Sequence, residues 1–216
     1  MRNMRFMATC LLICLTTWAA VAQKDKTNYA KPTEADLAAA DAAKGADYLT
    51  EKEKQVYYYM NLARMFGPFF ADIYVKDYLK NSDVSNTEFV KSLQESLRNQ
   101  KPLPPLQPAK DLYEEARTHA TEMGTAGRKG SNSLAGKDLK TRFATLQKTY
   151  PLFAENCDYG NAEAIDIVFS LLINEGMKSL KNRKNILNPE FNHAGVSIAP
   201  HKKLEWNCVI DLGKKN

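Results

Sequence analysis

Beyond its N-terminus this chain has no apolar stretch of about twenty residues, which excludes a multi-span membrane protein. Gly-x-Ser-x-Gly occurs nowhere, so the nucleophile elbow of a large class of serine hydrolases is missing. No segment recurs at a spacing of about 20–50 residues, which removes solenoid and propeller architectures. Neither sign of charge dominates. The 30 basic and 25 acidic residues are interspersed and leave a formal charge of +5, without the concentrated basic surface of a nucleic-acid binder. Histidine is scarce, at three in 216 residues, which limits imidazole-based catalysis and metal binding. What remains is ordinary globular composition, 44% hydrophobic and 25% charged. That suffices for one domain of about 150 residues with tails.

The N-terminus reads as a signal peptide over residues 1–22. Arg2 and Arg5 give a positive start, Met7 to Trp18 a short apolar run, and Ala20-Val21-Ala22 the small residues before a cleavage at Gln23. An uncleaved anchor is the alternative. A lipoprotein site does not fit, because Ile13 precedes Cys14 where a small residue is needed. Cleavage removes Arg2 and Arg5, leaving 28 basic against 25 acidic residues and a charge of about +3. It also removes Cys10 and Cys14. The two remaining cysteines, Cys157 and Cys208, are expected to pair in an oxidising compartment; two separate buried thiols are the alternative.

Residues 23–48 are polar and Ala-rich and read as an arm outside the core, with a short helix over Glu34 to Lys44. The domain proper is expected over 49–213. Thr50-Glu51-Lys52-Glu53 has the spacing of a capping box, and Val56, Tyr59, Met60 and Ala63 form one helix face. Gly67-Pro68 ends that helix and starts the next, to about Lys80. A third helix covers Thr87 to Arg98. Four prolines between Lys101 and Pro108 demand an extended connector. Helices are then expected over Ala109–Met123 and Lys137–Gln147, a strand over Leu152–Asp158, and a helix capped by Asn161 and ending at Gly176. A short helix or turn over Ser179–Leu187 precedes two closing strands, His193–Ala199 and Leu204–Leu212. This order predicts an α+β fold, an α-β-α sandwich.

Several stretches resemble the CAP superfamily, which includes cysteine-rich secretory proteins, antigen five and plant pathogenesis-related proteins. Asn61-Leu62-Ala63-Arg64 is similar to its Asn-x-x-Arg helix. Pro105-Leu106 resembles the lead into its next conserved helix, and Leu112, Ala116 and His119-Ala120 resemble that helix. Ala154-Glu155-Asn156 resembles its Gly-Glu-Asn signature. Asn182 to Pro189 is similar to the His-Arg-x-Asn-Ile-Leu-Asn-Pro of the bacterial branch, and Ala194-Gly195-Val196 to the strand after it. The cysteine-rich C-terminal extension of animal members is absent from the sequence.

The resemblance implies a small central antiparallel sheet flanked by helices, and a cleft faced by two histidines and two acids. On the frame of Gly136 and Arg142, Ser131 stands at the first histidine position. Asn182 stands at the second, Glu155 is retained, and Glu175 is the nearest candidate for the second acid. Serine and amide are poor ligands for zinc and no general bases, so no metal, no cofactor and no catalytic residue is expected at that frame, with weak calcium or magnesium binding by the two carboxylates as the alternative. His119, on an apolar helix face, reads as a hydrogen-bonded core histidine, and His193 and His201 as partly exposed structural residues. Tyr57-Tyr58-Tyr59 reads as core packing, with an apolar ligand groove as the alternative. Lys178, Lys181, Arg183 and Lys184 read as a solvated basic face. The expectation is an exported, non-catalytic protein with an extracytoplasmic ligand: a lipid, a peptide or an envelope component. Nucleic acid is not expected, and membrane contact is at most peripheral. A metal-dependent hydrolase or protease, and a structural domain without ligand, are the alternatives.

Overall fold

A computed structural model of the chain describes residues 29–216. The expected signal peptide and its cleavage point lie outside the described residues. In chain order the elements are α1 (Glu34–Ala40), α2 (Glu51–Met65), α3 (Gly67–Phe69), a π-helical turn (Phe70–Tyr74), α4 (Val75–Asn81), α5 (Glu88–Asn99), β1 (Gln107–Pro108), α6 (Lys110–Ala126), α7 (Leu139–Arg142), β2 (Leu152–Tyr159), α8 (Ala164–Ile173), α9 (Lys181–Ile186), β3 (His193–His201) and β4 (Glu205–Lys214). No helix of the described residues is long and apolar enough to cross a membrane.

The strands form one sheet in the order β1-β3-β4-β2, antiparallel except for the two-residue parallel edge β1. Side-chain alternation along the strands builds two apolar layers. Val196, Cys208, Ile210 and Leu212 face α2, α8 and α9 in the main core. Ala199, Val209 and Cys157 face Ala116 and Ala120 of α6 on the other side. The fold is therefore an α-β-α sandwich. α6 lies almost in contact with the strand backbone beneath it: a Cβ at Gly195 would sit 2.1 Å from the Leu112 carbonyl carbon, and one at Gly124 would sit 2.2 Å from the Pro200 oxygen. Only glycine permits that approach.

Local signals set the helix starts. Thr50 and Glu53 make both bonds of a capping box at the head of α2, and Thr33 and Asp36 do the same for α1. The segment over 33–49 corrects the expectation of an arm outside the core. Ala40 and Ala43 are fully buried, and Asn61 Nδ2 donates to the Ala40 carbonyl at 3.0 Å. Alanines lie close against α2 and lose almost no side-chain entropy there, while the polar residues that coloured the composition face water. Two further boundaries shift. The helix expected over Lys137–Gln147 shortens to the single turn α7, capped by Asp138. Asn161 does not cap α8; Glu163 occupies that position, and Asn161 Nδ2 bonds Asp158 Oδ2 at 2.9 Å instead.

Two arginines fasten the helical layer. The Arg64 guanidinium is fully buried and donates to the carbonyls of Pro104 (3.1 Å), Ile186 (2.6 Å), Asn188 (2.9 Å) and Phe191 (2.8 Å). Arg183 corrects the solvated-face reading. It is buried and donates to the carbonyls of Leu172, Ile173 and Phe89 and to Ser92 Oγ, tying α9 to the end of α8 and to α5. The tyrosine run packs as core. Tyr57 is buried with its hydroxyl on the Ala194 carbonyl at 2.6 Å, and Tyr58 and Tyr59 meet edge to face.

Candidate functional site

Two polar features meet along β2. The first is a buried cluster on the α6 face of the sheet. The β2–β4 register sets Glu155 directly opposite Asp211. Glu155 and Asp211 are 2% and 0% exposed. Arg142, at the end of α7, reaches in and donates to Glu155 Oε2 at 2.7 Å, to Glu115 Oε1 at 3.0 Å and to the Ser131 carbonyl at 2.9 Å. Burial works against the Arg142 charge, but the carboxylates of Glu155, Asp211 and Glu115 outweigh it and hold its pKa above the usual value. Burial and the Glu155 charge push Asp211 well above the ordinary carboxylate range. Asp211 Oδ1, Asp211 Oδ2 and Glu155 Oε1 are buried and have no hydrogen-bond partner among the described residues.

His119 enters the same cluster from α6. It is buried, as expected, with Nε2 2.9 Å from the Gly130 carbonyl and Nδ1 3.2 Å from Glu122 Oε1. Nε2 also stands 3.9 Å from Glu155 Oε1, a proximity across the α6–β2 packing that no local pattern signals. His201 is buried in the β3–β4 turn, where Nδ1 accepts from the Lys203 and Leu204 amides; the turn needs those acceptors, so it is not the partly exposed residue expected. His193 is half-buried, and burial lowers its pKa.

The second feature is an open groove of about 730 Å³ between the end of β2, α8 and α9. Its lining includes Tyr78, Asp158, Asp166, Asn174, Glu175 and Asn182, and Cys157 and Lys129 at the end nearest the cluster. Tyr78 stacks on Phe169 at 4.0 Å and donates to Asp166 Oδ1 at 2.9 Å, which fixes that wall. The Asn174 side chain accepts from the Asn182 amide at 2.9 Å and so closes the α8–α9 corner. Burial raises Asp158 to about 6, opposed by hydrogen bonds from Ser170 and Asn161.

The four expected cleft residues do not converge on one point. Asn182 and Glu175 line the groove, Glu175 at its exposed rim. Glu155 lies buried in the cluster, and Ser131 lines a separate pocket with Arg128 and Asn132. Arg142 joins Ser131 to Glu155, by way of the Ser131 carbonyl. Asn156 carries the link to the groove, donating to the Asn182 carbonyl at 3.0 Å.

The expected disulfide is not formed: Cys157 and Cys208 are free thiols. Cys157 stands opposite Val209, so the next residue, Cys208, points to the other face of the sheet. Burial and the charges of Glu155 and Asp211 push the Cys157 thiol well above its usual pKa, and burial does the same for Cys208. Neither is an activated nucleophile.

No curated protein sequence matches the chain. Among solved structures, an outer surface protein of Borrelia burgdorferi aligns with 62% of this chain and 97% of its own, at 18% identity and a TM-score of 0.45. The venom allergen-like protein 4 of Schistosoma mansoni aligns with 78% of this chain and 91% of its own, at 14% identity and a TM-score of 0.45. An extracellular protein of Bacillus anthracis containing an SCP domain aligns with 52% of this chain, at 21% identity and a TM-score of 0.44; the matched part is 35% of that longer protein. The cysteine-rich secretory protein family, CAP, is matched over residues 57–210, from within α2 to within β4. With most of its length under that match, the chain belongs to the cysteine-rich secretory protein (CAP) family.

Proposed function

We propose that this protein is an exported, non-catalytic binding domain that holds a polar, cationic ligand, of the class of a basic peptide, in the groove between β2, α8 and α9. The observation that carries the reading is the groove's charge: Asp158, Asp166 and Glu175 line it against the single lysine Lys129. The amides of Asn161, Asn174 and Asn182 add donors and acceptors along the same walls. Such a lining favours an ammonium or guanidinium group over an acyl chain. Export rests on the charged, apolar and small-residue order of residues 1–22.

The absence of catalysis rests on Ser131 and Asn182 at the expected histidine positions, and on a groove that no histidine lines among the described residues. One observation favours a hydrolase in the same groove: Asp158, at about 6, lies in the range of a general acid or base. It has no activated nucleophile beside it, because the neighbouring Cys157 thiol is held protonated.

Fluorescence anisotropy with short lysine- and arginine-bearing peptides tests the proposal, with acidic peptides and lipid vesicles in parallel. Basic peptides should bind, more weakly at high salt and in Asp166→Asn. Binding by vesicles alone, or cleavage of the peptides, would overturn it.

A further inference from the structure

A cluster of metal-binding donors lies where the buried site meets the groove. One ligand atom each from His119, Glu155 and Cys157 fall within 4.8 Å of one another. None of the three pairs depends on the positions where the family resemblance puts histidines. His119 comes from the middle of α6, and Glu155 and Cys157 are alternate residues of β2 that face it.

We propose that His119, Glu155 and Cys157 form a binding site for a divalent transition metal of the zinc class. The donor types fit: imidazole, carboxylate and thiolate are the ligands that zinc takes, three from the protein with a fourth position open. A second, independent observation points to a ligand. Glu155 Oε1 has no hydrogen-bond donor among the described residues, although its side chain is fully buried, and it faces His119 Nε2 at 3.9 Å. Two ligand atoms on one tetrahedral zinc stand about 3.3–3.8 Å apart, given bonds of about 2.0–2.3 Å, so side-chain rotations close the site once the Gly130 carbonyl, 2.9 Å from Nε2, moves aside.

The surroundings are arranged for it. Glu122 Oε1 lies 3.2 Å from His119 Nδ1, so the Nδ1 proton has a carboxylate to hold it and Nε2 is the coordinating nitrogen. The metal takes the place that the Gly130 carbonyl holds on Nε2, so binding moves that carbonyl off the ring and releases the Cys157 thiol proton. Arg142 keeps Glu155 anchored through the other oxygen, Oε2. Cys157 is partly exposed and lines the groove, so the ion enters from there and turns its open position toward the groove.

Cobalt(II) substitution on the folded chain under reducing conditions tests the site, with zinc calorimetry alongside. Titration should give one cobalt per chain, a thiolate-to-cobalt charge-transfer band and the intense visible bands of four-coordination. Cys157→Ser should lose the charge-transfer band. Cys208→Ala, on the opposite face of the sheet, should keep it. Glu122→Gln should weaken zinc by about 10–100-fold without removing a ligand. Circular dichroism confirms that each variant is folded, and Cys157→Ser replaces only one sulfur by oxygen, so loss of the band is read in a folded chain. A wild-type chain that takes up no cobalt or zinc, or a band that survives Cys157→Ser, would overturn the proposal. Peptide binding is measured separately in chelator-treated protein, so either idea can fail without the other.

Discussion

Replacing Arg64 by methionine keeps an unbranched apolar stem and removes every donor. The guanidinium serves four buried or partly buried carbonyls, on Pro104, Ile186, Asn188 and Phe191. A buried acceptor stripped of its donor costs about 1–3 kcal/mol, so four at about 1.5 each cost about 6 kcal/mol. The loss is offset because a buried charge disappears. Burial lowers the Arg64 pKa from 12.5 to about 10, a penalty of about 3 kcal/mol at 1.36 kcal/mol per unit. The net expectation is destabilisation by about 3 kcal/mol, a large share of the ~5–15 kcal/mol that holds a domain of this kind. Urea denaturation followed by circular dichroism reads it, and Arg64→Lys should fall between wild type and Arg64→Met, since an ammonium cannot span four acceptors. Hydrogen exchange should also quicken at residues 186–191, which the clamp holds to α2. A loss below about 1 kcal/mol with unchanged exchange would show that the carbonyls find other donors and that the clamp is not what positions α9.

Gly195→Ala should cost at least about 3 kcal/mol, the upper end for overpacking, because the new Cβ meets α6 backbone at 2.1 Å and no side chain can yield; thermal denaturation checks it. Asp158 has a folded pKa raised from 3.8 to about 6, so its contribution to stability is full below pH 4 and is lost as pH rises through 6. Asp158→Asn should abolish that decline, worth up to about 3 kcal/mol between pH 4 and pH 7, as read by denaturant titrations across that range. Alkylation of native protein followed by mass spectrometry should find two free thiols in the domain, Cys157 reacting before the fully buried Cys208. A 157–208 disulfide would contradict the register of β2 on β4.

What the sequence disclosed was mostly local. The capping box at Thr50, the helix face of Val56, Met60 and Ala63, and the closing hairpin all depend on neighbours a few residues apart, and all are present. Glu155 was legible through its tripeptide, but its surroundings were not. Arg142 and Asp211 reach it from the end of α7 and from another strand. An aspartate inside the apolar run Cys208 to Leu212 was the one available hint of that cluster. The cysteine pairing failed for a geometric reason that no composition carries, a register offset of one residue. Arg183 sat among lysines and looked solvated, because its acceptors on Phe89, Leu172 and Ile173 are remote in sequence. The short edge strand β1 has only two residues, too few to show a period.

The proposed role comes down to where a ligand sits and whether it leaves intact. Amide-resolved NMR of the folded chain, titrated with a basic peptide that the anisotropy screen selects, answers both at once. Shifts should concentrate on Asp158, Asn161, Asn174, Gly176 and Asn182 around the groove, with the peptide unchanged after prolonged incubation. Shifts confined instead to the apolar hollow lined by Met65, Phe66, Phe69 and Leu103, or a peptide found cleaved, would contradict the binding-domain reading.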